Sequence, residues 1–160
     1  MAAATRTASP LDGAGETAVL QGCLDRLRDA VVAKVRGVPD PQVRTAGVPS
    51  GTSLLGLVQH LTAVEAFYFL GAEPSSWPAT WRPAPEQSPD EVLAAYRETI
   101  RRADQVIGSC TDLTVAAPRV PRRTSAPSMR WALVHMIEET GRHAGHADIL
   151  REQIDGATGT

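Results

Sequence analysis

Apolar residues return at helical intervals in four stretches of the chain, and links rich in proline and glycine separate them. In the first stretch Leu20, Leu24, Leu27, Val31 and Val35 share one face, until Gly37 and Pro39 end the pattern. It predicts a helix near 16–36, and the second stretch predicts one near 52–71 with Ser50 or Thr52 as N-cap. Ser88-Pro89-Asp90-Glu91 joins a capping box to a proline at the first helical position, opening a third helix near 89–108. The fourth runs near 128–155 and stops at Gly156. No useful stretch alternates with period two, and no internal repeat is present. The expected fold is therefore all-α, a four-helix bundle whose long links favour crossover connections over a plain series of hairpins. Residues 1–14, rich in Ala, Thr, Ser and Gly, read as a flexible tail, which leaves 15–160 as one domain.

Composition narrows the function classes. A net charge of −2 offers no electrostatic reason for nucleic acid or an anionic membrane as partner. The Arg119/Arg122/Arg123 run is too short and isolated to change that. No apolar run approaches a membrane span, and the first residues lack the apolar core of a signal peptide. Cys23 and Cys110 form neither a CxxC motif nor a disulfide framework, so the expectation is a cytoplasmic protein with reduced thiols. Lys34 is the only lysine among many arginines, a skew of the kind that GC-rich codon usage produces.

The candidate chemistry lies in the last helix, along His135-Met-Ile-Glu-Glu139-Thr-Gly-Arg142-His143-Ala-Gly-His146. At about 100° per residue, His135, Glu139, His143 and His146 fall within about 80° of one another. Glu139 and His143 are an i, i+4 pair, a spacing that serves one shared cation or a surface pair equally well. The remaining histidine, His60, sits in the second helix, and a ligand from a facing helix is how bundles build metal sites. His135 taken alone reads as a packed or surface residue, or as one that hydrogen-bonds a ligand or substrate. Gly141 and Gly145 interrupt the stripe, which implies close helix approach or room for something bulky. Arg130, Arg142 and Arg151 read as a solvated or ion-paired face, with Arg142 within about 20° of the His135 direction. Trp77, Trp81 and Trp131 read as packing residues, the first two in a link able to cap a pocket.

Leu54-Leu55-Gly-Leu-Val-Gln-His60-Leu, Val64-Glu65, and the run from Arg130 through His135, Glu139, His143 and His146 to Asp155-Gly156 resemble a known family. It is the DinB/YfiT-like four-helix-bundle superfamily, in the actinobacterial branch related to mycothiol-dependent maleylpyruvate isomerase and mycothiol S-transferases. The resemblance implies a metal triad of His60, Glu139 and His143, with glutamate at 139 where many relatives carry histidine. His146 stands where many relatives have glutamine, which places it toward the substrate or behind the metal ligands and outside the triad. The implied cofactors are a divalent metal such as Zn2+ and a low-molecular-weight thiol such as mycothiol. The implied activity is metal-dependent transfer of that thiol to a small-molecule electrophile, by conjugation or isomerisation. His146 and Arg142 are the candidate catalytic residues, able to orient the electrophile or stabilise charge on it, and His135 supports the site. Two rivals stay open: a hydrolase or lyase using metal-activated water on the same triad, and a non-catalytic metal- or small-molecule-binding protein, with a homodimer as one assembly.

Overall fold

The computed structural model describes residues 15–118 and 126–159. The expected N-terminal tail (1–14) and the Arg119/Arg122/Arg123 run lie outside the described residues. Four long helices are present: α1 (Glu16–Val35), α2 (Leu54–Leu70), α3 (Pro89–Ser109) and α4 (Met129–Asp155). The described residues contain no strand, only an isolated bridge between Ala116 and Ser128. Local chemistry sets the ends. In the capping box of α3 the Ser88 amide donates to Glu91 (2.7 Å) and the Glu91 amide donates back to Ser88 Oγ (3.2 Å). Gly71 and Gly156 end α2 and α4 in the left-handed conformation. The N-cap of α2 is Ser53, whose hydroxyl accepts from the Gly56 amide, rather than the expected Ser50 or Thr52. Among the described residues no helix is long and apolar enough to cross a membrane.

Two apolar clusters give the helix directions. One joins the C-terminal half of α1 (Val31, Val35) to the start of α2 and α3 (Leu54, Leu57, Val92) and the end of α4 (Ala147, Leu150). The other joins Leu24 of α1 to the end of α2 and α3 (Phe69, Ile107) and the start of α4 (Met129, Leu133). α1 and α4 thus run one way, α2 and α3 the other. Of the three links, only the one between α2 and α3 has to travel the length of the bundle. This strap returns along α2, and its 3-10 turn Pro78–Trp81 seats the Trp81 carbonyl over Gly56. A Cβ at Gly56 would lie 2.5 Å from that oxygen, so the close approach requires glycine here.

Between the two apolar clusters lies a polar layer. Arg28 of α1 is buried and forks onto Glu65 of α2, its Nε and Nη2 each donating at 2.6 Å. Its Nη1 reaches Asp25 (2.7 Å) and Asp104 of α3 (2.9 Å). Burial works against the guanidinium charge, but Glu65 and Asp104 outweigh it and the Arg28 pKa is raised. The same layer continues on α4 with Glu139, Thr140 and His143, and on α2 with His60.

Removing one partner of such a pair strands a buried charge, whereas removing both does not. Glu65→Gln should cost about 3–5 kcal/mol of unfolding free energy, and the double change Arg28→Met with Glu65→Leu markedly less. Urea unfolding of the variants checks this; a double variant as unstable as the sum of the singles would contradict it.

Candidate metal centre

His60, Glu139 and His143 are brought together across the gap between α2 and α4. Each is buried, and one ligand atom from each lies within 4.8 Å of the others. Glu139 Oε1 is 3.0 Å from His143 Nε2 and 3.5 Å from His60 Nε2. Ligands placed tetrahedrally about 2.1 Å from a zinc ion would themselves stand about 3.4 Å apart, so the spacing suits a small divalent cation. Burial, then the neighbouring His143 and Arg142, lowers the His60 pKa to about 4. Burial, then Arg142 and His146, does the same for His143, also to about 4. Both rings are therefore neutral at pH 7, so each has one unprotonated nitrogen, and a cation between the donors would take the place of the His143 Nε2 to Glu139 Oε1 hydrogen bond (3.0 Å). Two imidazoles and one carboxylate are a donor set that zinc and its neighbours accept.

The strap supplies one wall. Trp81 stacks on the His60 ring, with centroids 3.8 Å apart and planes 13° apart, and meets His143 edge-on at 5.3 Å. Thr80 is buried behind it, with its hydroxyl 2.9 Å from His60 Nδ1. That hydroxyl also donates to the Trp77 carbonyl at 2.6 Å. Gln59 of α2 donates to the Arg82 carbonyl (3.2 Å) and ties the strap down one residue before His60.

A cavity of about 300 Å³ opens beside the donors, with His60 and Glu139 in its lining together with Val64, Phe67, Tyr68, Trp77 and His135. A larger cavity of about 540 Å³ shares Trp77 with it and is also lined by Trp81, but touches none of the three donors. It lies over the loop at Ser50–Thr52 and Arg82, so the smaller cavity is the one that reaches the chemistry.

The other sequence candidates divide. His135 lines the cavity, its ring stacked on Trp131 at 4.7 Å and close to Tyr68 at 4.9 Å. His146 and Arg142 are exposed and absent from the cavity lining; each touches a donor from outside. His146 Nδ1 lies 3.2 Å from His143 Nδ1, on the side of that ring away from Glu139. Arg142 Nη2 pairs with Glu139 Oε2, the oxygen turned away from the histidines. Gly145 has open space where a Cβ would stand, and Gly141 meets only ordinary contact with Leu27, so neither glycine marks a tight helix crossing. Trp77 and Trp81 do wall cavities, as their place in the link allowed. Sequence reasoning missed Thr80, Phe67 and Tyr68: a lone threonine between two tryptophans, and two aromatics on a uniformly apolar helix, carry no signal of their own.

A family model described as mycothiol-S-transferase matches residues 19–156. No curated protein matches the chain. Among solved structures, a conserved protein from Enterococcus faecalis is similar at a TM-score of 0.63 with 12% identity, covering 91% of this chain and 100% of that one. At that identity the likeness carries the bundle fold and nothing further.

The neutral histidines give a pH signature to the metal-free protein. Their folded pKa of about 4 lies below the ordinary histidine value of 6.5, so between these values the unfolded chain takes up the protons. Stability should fall as pH drops from 6.5 toward 4. Urea midpoints in the presence of chelator should show a larger loss for the native chain than for the variant His60→Asn with His143→Asn. Equal pH dependence of the two would contradict the buried, neutral state.

Proposed function

The chain belongs to the mycothiol-S-transferase family, and from that premise we propose that it joins a low-molecular-weight thiol, mycothiol, to a small electrophile at a cation held by His60, Glu139 and His143. The observation that carries this reading is the buried His-Glu-His group at the edge of an aromatic-walled cavity. A divalent cation, Zn2+ by the donor set, would stabilise a thiolate at neutral pH, where a free thiol of ordinary pKa is mostly protonated. Three protein donors leave a position for that sulfur.

The chain's own residues do the rest. Glu139 contributes one negative charge to the donor set, which leaves the sulfur more electron-rich than three neutral imidazoles would. Arg142 holds the outer oxygen of Glu139, and His146 supports the outer nitrogen of His143, so both act as positioning residues through the donors they touch. Phe67, Tyr68 and Trp77 exclude water from the cavity and hold the electrophile. His135, one turn before Glu139, offers a ring nitrogen to that bound molecule. In the reaction the sulfur forms a bond to an electrophilic carbon. A leaving group departs with its electron pair, or the pair moves onto an electron-withdrawing group that then takes a proton; the thiol's own proton goes to solvent.

Product formation from a panel of electrophiles should require both metal and thiol, and favour mycothiol over glutathione. Chelation should abolish it and Zn2+ restore it. His60→Ala should lose most bound metal, and His135→Ala should keep its metal while losing turnover. Turnover without thiol would instead favour hydrolysis, and activity that survives complete metal removal would overturn the metal reading.

A further inference from the structure

The strap does more to His60 than cover it. Thr80 Oγ1 lies 2.6 Å from the Trp77 carbonyl and 2.9 Å from His60 Nδ1. A hydroxyl has one proton to give. A carbonyl oxygen can only accept, and two oxygens 2.6 Å apart with no proton between them would repel. The threonine proton therefore goes to Trp77, and toward His60 the hydroxyl must accept. His60 then carries its own proton on Nδ1, which leaves Nε2 bare. Nε2 is the atom that faces Glu139 Oε1 at 3.5 Å. A bare ring nitrogen and a carboxylate oxygen face each other at the edge of the cavity, an arrangement that favours a cation between them.

We propose that Thr80 is a positioning residue for the cation site: its hydroxyl, oriented by the Trp77 carbonyl, fixes the Nδ1–H tautomer of His60 and so presents the Nε2 lone pair toward Glu139 and His143. The neighbouring Trp81 sets the face of the same ring by stacking at 3.8 Å, so two consecutive strap residues define its orientation. The crossover is thereby part of the centre, although it supplies no ligand. Gly56 and Gln59 on α2 hold the strap in the register this requires. The inference rests on reading His60, Glu139 and His143 as a cation site.

Two measurements test it without reference to turnover. In metal-free protein labelled with 15N-histidine, long-range 1H–15N correlations report the tautomer, with His60 assigned from the His60→Asn variant. The native chain should show Nδ1–H at His60. Zn2+ affinity, measured by competition with a chromophoric chelator, should fall about 10- to 100-fold in Thr80→Val. Thr80→Ser, which keeps the hydroxyl, should restore both the tautomer and the affinity. If Thr80→Val does not fold, Thr80→Ala serves the affinity arm, and the native spectrum alone decides the tautomer. An Nε2–H tautomer in the native chain overturns the proposal, as does Zn2+ affinity unchanged on loss of the hydroxyl. Absence of Zn2+ binding by the native chain overturns the cation reading itself, a distinct result.

Discussion

Arg28 and Glu65 meet as a two-pronged ion pair with almost no access to water, and the need to satisfy those charges governs how the bundle is layered. Apolar side chains cannot surround an unpaired charge without a large desolvation cost, so the buried guanidinium and carboxylate must pair. α1, α2 and α3 meet that demand jointly through Arg28, Glu65, Asp25 and Asp104. The core is consequently split into two apolar halves, each with its own closely packed cluster. α2 carries two obligations in this layer: it gives Glu65 to Arg28 and, five residues earlier, His60 to α4.

The site follows from the same layering. α1 packs along α4 and α2 along α3 more extensively than α2 meets α4. The sparse α2–α4 seam is where three donors and a cavity can be accommodated. Because α2 and α3 run in the same direction, their link has to return along the bundle, and it passes over His60 on its way. Fold topology thus places Thr80 and Trp81 against a donor ring. The histidines owe their neutral state chiefly to burial, with Arg142 adding its positive charge nearby.

Much of this was legible in the sequence, and what was not has a physical reason. The helices emerge within about two residues of the expected bounds, because period and capping chemistry are local properties. Ser53 displaced Ser50 and Thr52 as cap because three nearby hydroxyl residues compete and the backbone path chooses among them. The stripe on α4 placed Glu139 beside His143, whereas bringing His60 to them depends on helix pairing, which the family resemblance supplied. The same stripe grouped His146 with the donors, yet a shared helix face does not set which side of a ring a neighbour meets. Arg28 and Glu65 look like ordinary surface charges when read along single helices, and only the three-helix junction makes them a core pair. Thr80 was invisible because its partner lies 20 residues away across a link without periodic structure.

The central claim is that His60, Glu139 and His143 share one cation. Crystals grown with Zn2+ and measured on both sides of the zinc absorption edge test it directly. The account predicts one strong anomalous peak about 2.0–2.2 Å from His60 Nε2, a Glu139 carboxylate oxygen and His143 Nε2. A peak held instead by His146 and His143 Nδ1, or no peak between α2 and α4, would contradict it.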